Sequence, residues 1–397
     1  MKKYKEIFLN DILILFFLII FFIILYIVLT SNNYILIFSI LFIAALLVYF
    51  VLKNKKYKRF FLNLFKNYQK TVYIFGLILL IIFPLFLRNN AYIIHLLIIV
   101  SIQIILALGL NIQVGSTGIP NLGFVGFFGI GAYASALLAE RLGVSFWICL
   151  IFGGIIASIL GLILALPTAK LKSYYLALIT IAFSYIMYNL FLNLKFFDGP
   201  DGVRGIPPPF LFKWSFYNNL NLFGLKYPMQ INFYYLILFF LIIFIIISFL
   251  LYNSRIGLIW NAIREDEIAS KSVGINVVYY KILAFCIGAF YAGIAGSLYA
   301  HYIGYISAQN FTFTISLAIL SMVILGGLDN ISGVILAAFL LTILPEKFRI
   351  LSNYRVIAFS IIIIIMLIFR PTGLIPQKNR IYSFIKSIIT KEEVNDE

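Results

Sequence analysis

Residues 109–133 read Gly109-Leu-Asn-Ile-Gln-Val-Gly-Ser-Thr-Gly-Ile-Pro-Asn-Leu-Gly-Phe-Val-Gly-Phe-Phe-Gly-Ile-Gly-Ala-Tyr133 and lie between long apolar segments. Seven glycines, one proline and several uncharged polar side chains interrupt the apolar pattern here. Irregular backbone at membrane depth is tolerated only where it faces protein or a water-filled cavity, because lipid cannot satisfy its hydrogen bonds. The stretch therefore predicts a broken helix inside a membrane protein.

Two interpretations of this stretch stay open. Broken helices expose backbone N–H and C=O groups, and transporters commonly bind polar solutes with such groups. Alternatively, the glycines at 123, 126 and 129 form a small-residue packing face next to a re-entrant turn. Under the first interpretation, we expect the substrate path to be lined by Asn111, Gln113, Ser116, Thr117, Gly118 and Asn121.

The composition of the whole chain also indicates a membrane protein. Of 397 residues, 63% are hydrophobic and only 11% are charged, and the mean hydropathy is +1.07. Soluble proteins carry about 25% charged residues, so this chain could not cover a soluble surface of its size. The expected fold is an all-α polytopic membrane protein with about 10–12 transmembrane helices, some of them broken.

Apolar windows of roughly 19 residues predict twelve membrane spans. In chain order they cover 12–29, 34–52, 72–87, 91–110, 122–139, 146–166, 174–194, 233–252, 279–300, 312–328, 332–348 and 355–369. The region 312–348 contains Gly326-Gly327 and could instead form broken half-helices. The apolar run at 12–29 is interpreted as a retained anchor, since no small-x-small cleavage site follows it.

The basic residues fix the orientation of these spans. With the N-terminus inside, 21 of the 30 lysines and arginines fall on one side of the membrane. Loops on the cytoplasmic side carry an excess of these residues, so we expect both termini in the cytoplasm. We expect three parts: an N-terminal extension (1–72) with two transmembrane helices and a basic cytoplasmic loop, a permease core (73–377) and a charged cytoplasmic tail (378–397).

Several motifs are absent from the sequence, and their absence narrows the function. There is no G-x-x-x-x-G-K-[ST] motif for nucleotide phosphates, and the predicted spans hold no acidic pair for a metal or a coupling ion. Ion-coupled carriers usually keep an ionisable or coordinating group within the bilayer. We therefore expect a transport subunit without catalytic residues, metal or cofactor, and the net charge of +16 is assigned to membrane topology rather than to nucleic acid.

Three further segments carry functional patterns. Residues 255–276 place apolar residues at helical spacing around a charged cluster, which favours a short amphipathic helix pair that docks into a partner's groove; a solvated loop is the alternative. Residues 198–209 are rich in glycine and proline and predict an ordered outer loop. Residues 325–334 break another apolar stretch, where Asn330 or Ser332 could cap the following helix.

Taken together, these segments resemble one known family. The stretches 109–133, 198–206, 264–274 and 325–333, and the closing Phe369-Arg-Pro-Thr-Gly-Leu-Ile-Pro376, occur in the order seen in LivM-type permeases of branched-chain amino-acid ABC importers. The resemblance covers roughly 91–377, so the first 70 or so residues lie outside it.

The resemblance implies partners and a coupling site. The partners would be two ATP-binding P-loop subunits, a sister permease (LivH-like) and an extracytoplasmic substrate-binding protein, assembled in the plasma (inner) membrane of a bacterium. The segment like Arg264–Gly274 would be the coupling helix that receives the ATPase's motion. Its coupling residues would be Arg264, Glu265, Asp266, Glu267, Ala269 and Gly274. Ile268 stands where the importer motif E-A-A-x-x-x-G has Glu, so docking carries over better than any particular salt bridge.

The cargo that the resemblance implies is a branched-chain amino acid. The expected path offers small, apolar and neutral polar groups without a fixed charge, which suits a hydrophobic amino acid. Urea or another small polar solute is the alternative cargo within ABC importers. An ATP-independent channel or secondary carrier is the alternative from another class, and it would leave residues 253–278 without a role.

Overall fold

The computed structural model describes residues 2–31, 39, 54, 68–88, 90–168, 171, 173–211, 214–222, 225–347, 361, 364, 368 and 373–375. Within them the chain is mainly helical, as the sequence predicts. The helices are α1 Lys2–Thr30, α2 Gln69–Phe86, α3 Ala91–Asn111, α4 Phe124–Leu142, α5 Phe146–Thr168, α6 Ser173–Asn193, α7 Gln230–Tyr252, α8 Arg255–Glu265, α9 Glu267–Ser272, α10 Val277–Ile303, α11 Phe313–Gly326 and α12 Ile331–Lys347.

Short strands occur only in loops of the described chain and form three antiparallel pairs. They are β1 Val203–Arg204, β2 Phe210–Leu211, β3 Trp214–Ser215, β4 Leu220–Leu222, β5 Leu225–Tyr227 and β6 Tyr305–Ile306. β2 pairs with β3 and β4 with β5 as local hairpins, whereas β1 pairs with the distant β6 in the register Val203↔Ile306.

Seven helices in the described part of the chain are long and apolar enough to cross a membrane. They are Ala91–Ser116, Phe124–Leu142, Phe146–Thr168, Tyr174–Asn193, Gln230–Tyr252, Val277–Ile303 and Ala308–Gly326, and each coincides with a predicted span. The predicted spans 12–29, 72–87 and 332–348 coincide with shorter apolar helices. The predicted spans 34–52 and 355–369 and the tail 378–397 lie largely or wholly outside the described residues, so the expected domain bounds stay a prediction.

The chain divides into two compact units, and the first comprises Met1–Leu96 and Asn219–Tyr235. In this unit Phe22 of α1 packs edge-to-face on Phe83 of α2. Pro84 has no N–H to donate to the carbonyl of Leu80 one turn earlier. The hydroxyl of Tyr234 donates to that Leu80 carbonyl at 3.0 Å. The tyrosine thus satisfies a carbonyl that the proline leaves without its helical donor.

The second unit comprises Leu97–Asn218 and Leu236–Glu397, and its core is a block of three helices, α4, α5 and α10. Glycines bring their main chains together: a Cβ added at Gly131 would lie 2.2 Å from the carbonyl oxygen of Gly293, and one added at Gly153 would lie 2.2 Å from Ser297 Oγ. Small residues that let helix backbones approach closely drive helix association in membranes. The small residues of α4 and α10 are therefore helix-packing positions.

The region 312–348 forms two helices joined by a tight turn. Helix α11 ends at Gly326, and α12 begins at Ile331. Gly326 packs on the main chain of Gly333 and Val334, so the two helices touch at their shared end. The side chain of Asn330 accepts from the Gly333 N–H at 3.1 Å, which confirms the predicted cap.

Candidate functional site

The predicted break after α3 is a π-helical turn followed by an irregular crossing. Helix α3 runs into Ile112–Ser116, where the helix widens to π geometry. Gly118 then adopts φ +69°, a left-handed conformation that favours glycine, and α4 starts only at Phe124. Single π turns inside α-helices are frequent at functional sites. This turn is hereafter the π segment.

Five of the six predicted path residues are buried, and Gly118 is exposed. Asn111, Gln113, Ser116, Thr117 and Asn121 each have at most 3% of their surface accessible. Their polar atoms are engaged within the protein. Asn111 Nδ2 donates to the hydroxyl of Tyr252, and Gln113 Nε2 donates to the carbonyl of Phe285 at 3.1 Å.

The remaining polar side chains close the same network. Asn121 Nδ2 donates to Gln113 Oε1 at 2.7 Å, and Thr117 Oγ1 donates to the Gln113 carbonyl at 2.5 Å. Buried polar groups that are fully hydrogen-bonded rigidify a structure. The geometry thus ties the π segment to α7 and α10, and a role of these residues along a substrate path stays a prediction.

Asp329, which the sequence pattern did not single out, lies beside the π segment. Its side chain is fully buried, and its carboxylate accepts from Ser116 Oγ at 2.8 Å. Its main-chain N–H donates to Asn111 Oδ1 at 3.0 Å. The residue has φ +63° in the turn between α11 and α12, a conformation that Asp tolerates better than most side chains. The sequence did not predict this burial, because an acidic residue in a turn is ordinarily exposed to solvent.

The segment 255–276 forms the expected pair of short helices. Ser254 caps α8 by accepting from the Gly257 N–H, and Asp266 caps α9 by accepting from the N–H groups of Ile268 and Ala269. Gly274 has φ +84° and ends the segment with a left-handed turn. Trp260 is fully buried and donates from Nε1 to the Tyr280 carbonyl at 2.9 Å. The pair is therefore anchored on the start of α10.

The predicted coupling residues divide by exposure. Glu265 is 76% exposed at its side chain, and Asp266, Ala269 and Gly274 are also exposed. Ile268 and Val273 add two apolar side chains that are 78% and 77% exposed. Arg264, by contrast, is only 16% exposed at its side chain and turns into the protein. The exposed residues form the surface that we call the docking face: Glu265, Asp266, Ile268, Ala269, Val273 and Gly274.

Glu267 links the helix pair to α10. Its carboxylate lies 2.7 Å from Lys281 Nζ and 3.1 Å from Lys271 Nζ. Partial burial opposes ionisation, but the hydrogen bonds from both lysines outweigh it, so the pKa of Glu267 lies below its ordinary value. A cavity of about 200 Å³ adjoins these groups and is walled in part by Thr117, Gly118, Arg264, Glu267 and Lys281.

The predicted outer loop, residues 198–209, is ordered and lies at the end of the second unit opposite the π segment. Asp198 has φ +57° and accepts from Arg141 Nη2 at 2.8 Å. The loop continues into β1, which pairs with β6 just beyond the end of α10. His301, near the end of α10, contacts the Pro207 carbonyl through Nδ1 and Ser135 Oγ through Nε2. The sequence did not indicate a role for His301, because the residues around it form no recognisable motif.

The loops of the second unit lie at two opposite ends, and each loop lies at the end that the predicted order of the spans gives it. The π segment, the helix pair and the α11–α12 turn meet at one end. The outer loop and β6 meet at the other end. Among the described residues, no group of three or more His, Cys, Asp or Glu could hold a metal ion.

Comparisons with known proteins agree with this arrangement. Residues 92–370 match the family described as branched-chain amino acid transport system / permease component. The chain is 38% identical over 288 residues to the high-affinity branched-chain amino acid transport system permease protein LivM of Escherichia coli (strain K12), which covers 69% of this chain and 68% of that protein. No solved structure matches the chain significantly.

More distant relatives include both kinds of permease from such systems. The chain is 27% identical to the probable LivM permease of Methanocaldococcus jannaschii, over 69% of this chain and 90% of that protein. It is 25% identical to the LivH permease of Escherichia coli (strain K12), over 69% of this chain and 91% of that protein. The chain therefore belongs to the family of permease components of branched-chain amino acid transport systems.

Proposed function

We propose that this chain is the membrane-spanning permease subunit of an ATP-driven importer of branched-chain amino acids. Family membership and the seven apolar helices of spanning length in the described part of the chain support the permease role. ATP hydrolysis is assigned to two partner subunits, since the sequence has no nucleotide-binding P-loop. The plasma (inner) membrane of a bacterium, with both termini cytoplasmic, is the proposed location.

The docking face is the observation that carries the ATP-driven part of this proposal. It exposes Ile268 and Val273 beside the acidic Glu265 and Asp266, on a helix pair held rigidly by its caps and by Trp260. Apolar side chains rimmed by charge suit insertion into a partner's groove. Asp266 caps α9, and Glu267 is held by two lysines. Glu265 pairs with Arg264 at 3.2 Å, but its side chain is 76% exposed, which makes it the acid most accessible to a partner's arginine.

The remaining partners are a sister permease and an extracytoplasmic binding protein. Similarity to both LivM and LivH relatives supports a paired permease. The ordered outer loop 198–209 offers the binding protein a defined landing surface, because its backbone is fixed by β1–β6 pairing and by His301.

The test is purification of the chain from its native membrane, followed by reconstitution of the complex in liposomes with ATP inside. We expect a P-loop ATPase and a second permease to co-purify, and leucine uptake to require ATP and the binding protein. Stimulation of the ATPase by urea but not by leucine would overturn the assignment of branched-chain amino acids as the cargo. Recovery of the chain alone under mild detergents, with uptake that needs no ATP, would overturn the importer proposal.

A further inference from the structure

The side chain of Arg264 connects the helix pair to the π segment. Arg264 is the penultimate residue of α8, and its side chain is only 16% exposed. Its Nη2 donates to the carboxylate of Glu265 in the docking face at 3.2 Å. Its Nη1 donates to the main-chain carbonyl of Gly115 at 2.5 Å. This hydrogen bond joins the proposed docking element to the predicted broken helix, elements separated by almost 150 residues of chain.

The Gly115 carbonyl can accept from Arg264 because neither of the N–H groups that would donate to it in a regular α-helix or π-helix does so. An α-helix would direct the Ile119 N–H at it, but that N–H donates to the Gln113 carbonyl at 2.9 Å. A π-helix would direct the N–H of residue 120, which is proline and has none. A buried carbonyl without a donor is costly. Arg264 therefore supplies a hydrogen bond that the break has removed.

A close packing and a buried charge hold the arginine in this position. A Cβ added at Gly118 would lie 2.8 Å from Arg264 Cγ, so the absence of a side chain at Gly118 makes room for the arginine. Asp329 Oδ2 lies 4.0 Å from Arg264 Nη1, and this aspartate also binds Ser116. The guanidinium thus places a positive charge beside a buried carboxylate.

We propose that Arg264 is a positioning residue that transmits displacement of the α8–α9 pair to the π segment and to the α11–α12 turn. This inference rests on the proposed function, because the displacement would come from the ATPase that docks on the helix pair. Gln113 of the π segment binds α10, and Asn111, directly before the π segment, binds α7, so a shift of Arg264 alters contacts of the second unit's helices.

The experiment measures leucine uptake and ATP hydrolysis in the same liposomes, with the complete complex carrying either Arg264→Gln or Arg264→Lys. Arg255→Gln is the matched control, because Arg255 is an exposed arginine at the start of the same helix. We expect Arg264→Gln to keep ATP hydrolysis within about twofold but to transport roughly tenfold less leucine per ATP, the loss in an equilibrium constant that corresponds to one charge-assisted hydrogen bond. Arg264→Lys should give an intermediate ratio of leucine to ATP, since an ammonium keeps the positive charge but lacks the planar fork that binds two partners at once.

An unchanged ratio of leucine to ATP in Arg264→Gln would overturn the inference, as would an equal change in Arg255→Gln. If Arg264→Gln does not assemble, Arg264→Lys and Asp329→Asn carry the test, and an unchanged ratio in both overturns it. Failure of the unmodified complex to show ATP-dependent uptake would instead overturn the proposed function. The contact is then tested by amide hydrogen exchange in the full-length chain, where Arg264→Gln should speed exchange at 115–121 and Arg255→Gln should not; equal exchange in the two variants would overturn the contact.

Discussion

The imidazole of His301 holds the carbonyl of Pro207 at 2.8 Å from Nδ1 and thereby fastens the outer loop to α10. A carbonyl can only accept, so the hydrogen is assigned to Nδ1, and in the neutral ring Nε2 accepts from Ser135 Oγ at 2.9 Å. Phe146 packs edge-to-face on the same ring. One side chain thus joins α4, α5, α10 and the loop.

We predict that His301→Ala destabilises the outer loop by about 1–3 kcal/mol, because two buried hydrogen bonds are lost and the ring leaves a void. Amide hydrogen exchange over residues 198–209 should become faster. Ser135→Ala, which removes only one of the two bonds, should produce a smaller change. Unaltered exchange in His301→Ala would show that the β1–β6 pairing alone holds the loop.

Gly131→Ala should lower the thermal stability of the chain. The new Cβ would lie 2.2 Å from the Gly293 carbonyl oxygen and 2.3 Å from its Cα, and neither main-chain atom can rotate away. Overpacking of this kind costs typically about 1–3 kcal/mol. Gly76→Ala is the control, because nothing lies within 4 Å of the added Cβ and alanine favours a helix more than glycine does.

Thermal unfolding of detergent-solubilised protein, followed by size-exclusion chromatography, measures both glycine variants. The unfolding temperature should fall for Gly131→Ala and stay equal or rise for Gly76→Ala. Equal behaviour of the two would contradict the close contact of α4 with α10.

Tyr252→Phe should destabilise the end of the second unit that carries the π segment. The hydroxyl of Tyr252 accepts from Asn111 Nδ2, and both groups lie in the buried interior. Removal of an acceptor leaves a buried donor unsatisfied, at a cost of about 1–3 kcal/mol. The same unfolding assay detects this loss. Tyr279→Phe is the control, because Tyr279 is 57% exposed.

The ion pair of Glu267 should give the helix pair a stability that depends on pH. Folding lowers the pKa of Glu267, so the contribution is present above the ordinary carboxyl value of 4.5 and is lost as pH falls through the lower folded value. The side chain is 38% exposed, and solvent screening limits the effect to about 0.2–1 kcal/mol.

Glu267→Gln should therefore be less stable than the unmodified chain at pH 7 and equally stable once the carboxyl is protonated. Lys281→Gln should reproduce most of this effect, since Lys281 is 11% exposed, whereas Lys271→Gln removes a 56% exposed partner and should matter less. A difference between Glu267→Gln and the unmodified chain that persists in acid would assign the effect to packing instead of charge.

The sequence predicts the helices of this protein well because lipid imposes a simple rule on them. Every span must be apolar over about 20 residues, so hydropathy marks it directly. The breaks at Gly118 and Gly327 were also predictable, since glycine and proline interrupt a helix by their own backbone chemistry. The caps by Asp266 and Asn330 follow from equally local rules.

Contacts between segments that are distant in the chain could not be predicted from the sequence. Asp329 lies in a turn, where an acidic residue is ordinarily solvated, and only the fold encloses it between Ser116 and Arg264. Arg264 was grouped with its acidic neighbours for docking, although its side chain faces inward. His301 lies in an apolar helix, and its role is visible only in the fold, where the Pro207 carbonyl lies against its ring.

The close approach of Gly131 to Gly293 restricts where a solute can travel. Helices whose main chains touch leave no room for a solute between them, so no path can run between α4 and α10 at this contact. Under the proposed function, the path of the amino acid therefore lies outside this contact. A sister permease paired with this chain, as we propose, would offer a second surface for such a path.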